Sequence, residues 1–197
     1  MDTSIVVALY QWVSTSPFLT NLTVFIAQDG IFLLPLALLA FWVWPGRTRP
    51  ARREAVLASN LAGLVGLVLV AVVGHLVGRP RPFVVLGTDP LFPHPPDSSF
   101  PSDHTLIGMP LALPFLWLRP RWDIWLTVWA LLVGVARVAS ALHYPTDVLG
   151  SALLAMVAAV VGLLLGAGLD AAPGDREPRP DRPGLILGQP ICVRLSQ

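Results

Sequence analysis

The stretch FPSDHT, residues 100–105, separates a proline-rich segment from an apolar one. Residues 79–103 contain seven prolines, and residues 105–118 carry no charge. A Ser or Asp at such a junction is a typical N-cap, which predicts that a helix begins at the Ser-Asp pair. The first N–H groups of a helix have no intrahelical partner and favour an anion. With a hydroxyl and an imidazole beside them, this stretch is suited to hold a phosphate and to protonate a group that leaves it.

The composition indicates a membrane protein. Of the 197 residues, 54% are hydrophobic and 13% are charged, which is too apolar for a soluble domain. All thirteen basic residues are Arg, and a net charge of +1 offers no basic face for a nucleic acid. Cys192 is the one cysteine, so neither a disulfide framework nor a thiolate metal site is expected.

Five apolar segments predict an all-α fold, a polytopic membrane bundle of about five transmembrane helices. Their residue ranges are 18–44, 55–78, 106–117, 122–142 and 148–169. The polar triplet Gln28-Asp29-Gly30 predicts a kink or break in the first segment. A short N-terminal interfacial helix is expected at residues 5–13, with Tyr10 and Trp12 at headgroup level.

These segments divide the chain into three parts. Residues 1–17 are the interfacial segment, residues 18–169 the membrane domain, and residues 170–197 a proline-rich, charged tail expected to be disordered. Four arginines lie in residues 45–54 and two more in 119–123, and basic loops stay in the cytoplasm. The C-terminus is therefore expected to be cytoplasmic, with the long loop 79–103 on the opposite side.

Three charged islands fall at the outer ends of the predicted spans. Arg79 and Arg81 end the second span, Ser102 and His104 begin the third, and residues 137–147 join the last two. Arginine forks match phosphate oxygens, and two histidines in different surroundings can act as nucleophile and acid.

The last island contains Arg137, His143 and Asp147. A carboxylate four residues after a histidine can reach the imidazole and fix its tautomer. Each island alone is compatible with a polar loop or a structural hydrogen bond, but three of them on one membrane face favour a site. A metal site of His104, His143, Asp103 and Asp147 is the alternative, and it is disfavoured because the neighbouring arginines repel a cation.

The order of these motifs resembles a known family. Arg-Pro, Pro-Ser-x-His and Arg-x5-His-x3-Asp are similar to the type-2 phosphatidic acid phosphatase and haloperoxidase superfamily. Within it, RPRPF at 79–83, SFPSDH at 99–104 and AR…HYPTDVLG at 136–150 most resemble bacterial undecaprenyl diphosphate phosphatases of the bacitracin-resistance type. The resemblance covers residues 18–169.

The resemblance implies a role for each matching residue. His143 attacks phosphorus, His104 protonates the leaving group, and Asp147 orients and activates His143. The residues expected to bind substrate are Arg79, Arg81, Ser102, Asp103 and Arg137. Neither a metal nor a cofactor is implied.

The chain departs from the family pattern at two positions. The family often has a lysine seven residues before the first-motif arginine, where this chain has Gly74, and Arg79 or His75 is expected to supply the missing charge. A small hydroxyl residue is often found before the third-motif arginine, where this chain has Ala136.

The implied function is hydrolysis of undecaprenyl diphosphate to undecaprenyl phosphate and phosphate through a phosphohistidine. Alternatives are a phosphatidylglycerophosphate or phosphatidate phosphatase and, in another class, a non-catalytic lipid-phosphate binder or transporter. The expected partners are a polyprenyl or phospholipid phosphate and the bilayer, without nucleic acid. The expected place is the bacterial inner membrane, with several spans and an extracytoplasmic active site.

Overall fold

Eight α-helices follow one another in the computed structural model, which describes residues 1–45, 49–118 and 124–170. They are α1 (Asp2–Val13), α2 (Pro17–Gln28), α3 (Leu33–Val43), α4 (Arg49–Val77), α5 (Pro82–Leu86), α6 (Asp103–Leu118), α7 (Ile124–Ala139) and α8 (Pro145–Asp170). Within these ranges the one strand-like pairing is an isolated bridge between Pro80 and Ser98. The all-α prediction is confirmed. The basic loop 119–123 and Cys192 lie outside the described residues, as does the predicted tail beyond residue 170.

The helices α4, α6 and α8 pack together at the centre of the bundle. Gly66 of α4 lies directly against the carbonyl oxygen of Leu106 in α6. A Cβ at Gly162 of α8 would stand 2.6 Å from the backbone nitrogen of Ala62 in α4. Lipid tails are as apolar as leucine, so close van der Waals packing at small residues holds membrane helices together. A larger residue at either glycine would push α4 away from its neighbours.

Two helices are long and apolar enough to cross a membrane, over Arg52–Val77 and Pro145–Gly168. The helices α2 and α3 pass the same test as a pair and are bent by 50° where they meet. A 3-10 turn, Gly30–Phe32, lies at this bend, which confirms the predicted break. The helix α7 is a shorter apolar helix. The described chain thus has two or three candidate spans, and a total of five remains a prediction.

The N-terminal helix α1 packs against the end of the bundle where α7 ends and α8 begins. Val6 is fully buried in a cluster that also contains Val138, Tyr144 and Val148. The helix expected at residues 5–13 is therefore present and begins three residues earlier. Its position at a membrane interface remains a prediction.

The proline-rich connection between α4 and α6 contains one short helix. The short helix α5 begins at Pro82, because proline is pre-organised for the first helical position. It ends at Gly87, whose φ of +61° lies in the left-handed region that glycine adopts freely.

One backbone hydrogen bond ties this connection to the α7–α8 junction, and a second joins its two ends. The N–H of Phe83 donates to the carbonyl oxygen of Ala141 at 3.0 Å, and the N–H of Ser99 donates to that of Arg79 at 2.7 Å. A loop that covers buried polar groups has to satisfy its own backbone in this way. The connection thereby brings residues from both of its ends to the start of α8.

Candidate active site

The three charged islands meet at one end of the helix bundle. Arg81 immediately precedes α5, Arg137 lies in the last turn of α7, and His143 lies in the turn before α8. All three side chains are buried. His104, the second residue of α6, is 18% exposed and lies at the rim of this group. The convergence that the sequence predicts for these four residues is therefore present.

The tautomer of His143 follows from its hydrogen bonds. Nδ1 lies 2.6 Å from the carbonyl oxygen of Ser99, which only accepts, so Nδ1 carries the proton. Nε2 then has a free lone pair, and the NH1 group of Arg81 donates to it at 3.2 Å. The nitrogen that faces the other charged side chains is thus the one able to act as a nucleophile.

Burial lowers the pKa of His143 below its ordinary value. The positive charges of Arg137 and Arg81 lower it further, while the carboxylate of Asp103 opposes them. The ring is therefore neutral at neutral pH, as a nucleophile needs to be.

Asp147 does not form the direct hydrogen bond to His143 that the sequence predicts. Its Oδ2 accepts from the Ser99 hydroxyl and from the backbone N–H of Tyr144, both at 2.9 Å. Because α8 begins at Pro145, His143 lies ahead of the helix and the i,i+4 relation does not apply. Asp147 is instead the third helical residue, and it reaches back to the N-cap N–H as in a capping box. Its link to His143 runs through Ser99.

Arg79 lies on this same side of His143. Its NH1 group donates to Oδ1 of Asp147 at 2.6 Å and to Oγ1 of Thr146 at 2.8 Å. The guanidinium also stacks on the ring of Tyr144, with its carbon 3.9 Å from the ring centroid. These contacts make Arg79 a partner of Asp147, whereas the sequence predicts that it binds substrate.

Asp2, at the start of α1, completes this group. Its Oδ2 accepts from Arg79 at 2.9 Å and from the Thr146 hydroxyl, and its Oδ1 accepts from the Thr146 N–H at 3.2 Å. Asp2 thus satisfies an N–H in the first turn of α8 that has no intrahelical partner. Burial raises the pKa of Asp2, but the hydrogen bonds from Thr146 and Arg79 outweigh this effect and lower it. Sequence reasoning missed Asp2, since it is far from every motif.

Asp103 lies on the opposite side of His143, among three nitrogen atoms. Its Oδ1 is 3.3 Å from Nδ1 of His104, 3.5 Å from NH2 of Arg137 and 3.6 Å from Nε2 of His143. Burial raises the pKa of Asp103, but the contact with His104 and the charge of Arg137 outweigh this effect and hold it far below its usual range. Asp103 is therefore a carboxylate anion at the point where the catalytic candidates meet.

Two further side chains of the loop contact the buried arginines. His94 lies with Nε2 3.1 Å from NH2 of Arg137, and Oδ1 of Asp97 accepts from Nε of Arg81 at 2.7 Å. Nε of Arg137 is buried and has no hydrogen-bond partner among the described residues. Sequence reasoning missed His94 and Asp97, although both lie within ten residues of the SFPSDH motif. Arg137 therefore keeps one donor that no described residue uses.

Ser102 is fully buried beside this group. Its hydroxyl accepts from the Thr105 hydroxyl at 3.1 Å, and its backbone N–H donates to the hydroxyl of Ser151 at 2.7 Å. Its expected contact with substrate remains a prediction.

A cavity of about 370 Å³ opens beside the buried Arg81. Its lining contains both charged and apolar residues: Val70, Ala71, Gly74, His75, Arg81, Asp97, Ser98, Phe100, Pro101 and Asp103. A Cβ at Gly74 would meet only Pro101, at 3.8 Å, so a side chain there has room to enter the cavity. Of the two residues expected to replace the family's lysine, it is His75 that lines this cavity.

Comparisons with known proteins identify the family of this chain. Residues 55–168 match the PAP2 superfamily. Undecaprenyl-diphosphatase BcrC of Bacillus subtilis (strain 168) is 36% identical over 139 residues, which cover 71% of this chain and 70% of that protein. The bacitracin transport permease protein BcrC of Bacillus licheniformis is 34% identical over 139 residues, which cover 69% and 66%. The crystal structure of Aquifex aeolicus LpxE superposes with a TM-score of 0.61 at 25% identity, covering 80% of this chain and 94% of that one.

The family match and the name of the Bacillus subtilis relative indicate a phosphatase, and the apolar candidate spans indicate a membrane protein. This chain belongs to the PAP2 superfamily, with the match covering more than half of its residues. The resemblance drawn from the three motifs is confirmed.

Proposed function

We propose that this protein is a lipid phosphatase that removes the terminal phosphate of undecaprenyl diphosphate. The observation that carries the proposal is the fixed tautomer of His143, whose Nε2 lone pair faces two buried arginines. The diphosphate substrate is supported by the name of the Bacillus subtilis relative.

The proposed reaction has two steps. In the first, Nε2 of His143 attacks the terminal phosphorus, a P–N bond forms, and the bond from phosphorus to the bridging oxygen breaks. His104 donates its proton to that oxygen, and undecaprenyl phosphate leaves. In the second, His104 removes a proton from water, the water oxygen attacks the phosphohistidine, and the P–N bond breaks to release phosphate.

The two buried arginines stabilise the charge that develops on phosphorus. Arg81 donates to Nε2 in this structure, and it would turn its NH1 group to a phosphate oxygen as attack begins. Arg137 has an unused Nε donor and a planar fork suited to two oxygens. Fixed donors of this kind are usually the largest contribution to lowering such a barrier.

The cavity supports a lipid substrate. Its lining combines the charged side chains of Arg81 and Asp103 with the apolar residues Val70, Ala71 and Phe100. A lipid phosphate likewise combines a charged group with an apolar chain. We assign the apolar lining residues to the first carbons of the lipid chain, and His75 to the leaving phosphate.

The distribution of arginines supports an outward-facing site. Residues 45–54 contain four arginines, which disfavours their movement across a bilayer. The C-terminus is then cytoplasmic, and the active site lies on the extracytoplasmic side of the bacterial inner membrane. Labelling Cys192 with a membrane-impermeant maleimide tests this orientation, since the thiol should react only after permeabilisation.

Phosphate release by the purified full-length protein tests the activity. We expect turnover of undecaprenyl diphosphate with a higher kcat/KM than for phosphatidylglycerophosphate or phosphatidate. His143→Ala purified in parallel excludes a contaminating phosphatase. A higher kcat/KM for either phospholipid would transfer the proposal to that substrate, and no release from any of the three would refute it.

Metal independence is part of the same proposal. Arg81 and Arg137 supply the positive charge that a metal would otherwise bring, and their charge opposes binding of a cation. Activity should therefore survive exhaustive chelation, and vanadate should inhibit by mimicking five-coordinate phosphorus. Loss of activity with EDTA and recovery with a divalent ion would favour the metal site of Asp103, His104, His143 and Asp147.

Transport is the second candidate function, favoured by the name of the Bacillus licheniformis relative. A transporter or binder needs the arginines but not the nucleophile. Proteoliposomes that move a lipid phosphate between leaflets equally well with wild type and His143→Ala, without phosphate release, would support transport.

A further inference from the structure

The carboxylate of Asp103 lies where the terminal phosphate of a substrate would have to lie. Its Oδ1 is 3.6 Å from Nε2 of His143, and it also faces His104 and Arg137. Reacting atoms in an attack-ready complex stand about 3–3.5 Å apart. A phosphoryl group within reach of Nε2 and a carboxylate oxygen at this position therefore exclude each other.

We propose that Asp103 is a specificity-determining residue whose carboxylate fills the phosphoryl position until an anion of higher charge displaces it. The inference rests on the proposed function and deepens it by naming the phosphates that the site accepts. These are the doubly charged terminal phosphates of monoesters and diphosphates. Singly charged phosphodiesters are rejected.

The contacts of Asp103 show that it is held by charge rather than by well-formed hydrogen bonds. They measure 3.3–3.6 Å, whereas charge-assisted N–H···O hydrogen bonds measure about 2.7–2.9 Å. Its Oδ1 is buried without a hydrogen-bond partner among the described residues, yet the side chain as a whole is 38% exposed. As the first residue of α6, Asp103 can rotate its side chain outward without unwinding a helical turn.

The charge balance explains the selectivity. A phosphodiester carries the same single negative charge as the carboxylate that it replaces. Its attraction to Arg137 and Arg81 is therefore no stronger than that of Asp103. A terminal phosphate carries a charge of about −1.5 to −2 at pH 7, so the arginines attract it more strongly than they attract the Asp103 carboxylate. This difference in electrostatic attraction is large because a buried site screens charge less than water does.

The selectivity has a use at a membrane surface. Phospholipid headgroups are phosphodiesters, and they outnumber any lipid monophosphate or diphosphate around the protein. Arg81 already pairs with Asp97, but without the Asp103 carboxylate the buried Arg137 would bind them unproductively. A carboxylate built into the site removes this competition without blocking the substrate.

Binding of two small anions to the purified full-length protein tests the proposal. Inorganic phosphate represents the doubly charged group, and dimethyl phosphate represents the singly charged diester. The anion-dependent rise of the thermal unfolding midpoint gives each affinity without requiring turnover. We expect wild type to prefer phosphate by at least about tenfold, the effect of a contact with one charged group.

The decisive variant is Asp103→Asn, which keeps the shape of the side chain and removes its charge. Dimethyl phosphate should bind it at least about tenfold more tightly than it binds wild type, so that the preference for phosphate shrinks. Asp103→Ser, which keeps a polar residue in the first turn of α6, should behave in the same way if the Asn variant folds poorly. Asp89→Asn, which removes an exposed carboxylate from the same loop, is the matched control and should bind both anions as wild type does.

Unchanged dimethyl phosphate affinity in both folded Asp103 variants would overturn the proposal. Weaker binding of both anions would also overturn it, because Asp103 would then assist ligand binding. Since the readout is binding, either result can be told apart from a failure to hydrolyse undecaprenyl diphosphate.

Discussion

The two sides of the His143 ring differ in how completely their polar groups are paired. On the Nδ1 side, Ser99, Asp147, Arg79 and Asp2 form a continuous chain of hydrogen bonds of 2.6–2.9 Å. On the Nε2 side, Asp103 makes only contacts of 3.3–3.6 Å, and Nε of Arg137 has no partner among the described residues.

This difference distinguishes the side that positions the His143 ring from the side where the reaction takes place. A fully paired network that is buried at Ser99, His143 and Asp147 holds one arrangement, because leaving a buried member unpaired costs free energy. A buried group that lacks partners needs an occupant, and here the occupant we propose is the phosphate. The Nδ1 side therefore orients the nucleophile, and the Nε2 side receives the substrate.

The largest effect is expected from His143→Ala, which removes the imidazole ring that lies between the two sides. Turnover should fall by at least about 10³-fold, since loss of a covalent nucleophile costs several orders of magnitude. Phosphate release and trapping of a labelled phosphoenzyme measure this loss. Activity within a few-fold of wild type would contradict the assignment of the nucleophile.

His104→Ala is the companion variant for the same measurement. It removes the proposed acid and base but keeps the nucleophile, so lipid phosphate binding should persist while formation or breakdown of the phosphoenzyme slows. A His104→Ala variant that forms and hydrolyses the phosphoenzyme at the wild-type rate would remove His104 from the mechanism.

The next largest effect is expected from Asp147→Asn, which weakens the Nδ1 side at its centre. A charged hydrogen bond contributes about 1.5–3 kcal/mol, so kcat should fall roughly 10- to 100-fold if this loss appears in the barrier. Ser99→Ala should cost less, because the Ser99 carbonyl that holds Nδ1 remains.

The double variant Ser99→Ala, Asp147→Asn decides whether Asp147 acts through Ser99. If it does, the two effects are not additive, and the double variant is about as slow as Asp147→Asn alone. Additive losses in kcat would mean that Asp147 acts on His143 by a separate route.

Sequence reasoning placed the Nε2 side better than the Nδ1 side. Arg81, His104, Arg137 and His143 lie at ends of apolar segments, so a bundle brings them together whatever the exact packing. Their residue types also indicate their roles, because arginine binds phosphate oxygens and histidine acts as a nucleophile or an acid. The number of spans was less predictable, because α7 is short and α2 and α3 form one bent pair.

The Nδ1 side depends on features that a sequence does not display. The acceptor for His143 is a backbone carbonyl, which every residue has, and Asp2 reaches α8 only because α1 folds back over it. The direct His143–Asp147 bond was predicted from a helical spacing, but Pro145 starts the helix after His143. The i,i+4 spacing rule does not hold across a helix start, where the capping contacts determine which group the side chain reaches.

A smaller effect is expected from variants at the far end of the Nδ1 side. Arg79→Ala removes a charged partner of Asp147 and should lower kcat about tenfold. Asp2→Asn should lower kcat only a few-fold, because Arg79 still donates to Asp147 in that variant. The KM of both variants should stay near that of wild type, since neither residue faces Nε2. A large rise in KM for Arg79→Ala would instead restore Arg79 to the substrate-binding residues.

The smallest effect is a shift of the acidic limb of the pH profile in Asp103→Asn. His143 must be neutral to attack, so kcat/KM falls as pH drops through its pKa. The Asp103 carboxylate raises that pKa against the lowering by burial and by the two arginines. Removing the carboxylate should therefore lower the pKa further and move the acidic limb to lower pH. Ionisation of the substrate phosphate is common to both proteins, so the difference between their profiles belongs to the enzyme. A shift to higher pH would mean that the charge on the Nε2 side does not act on His143.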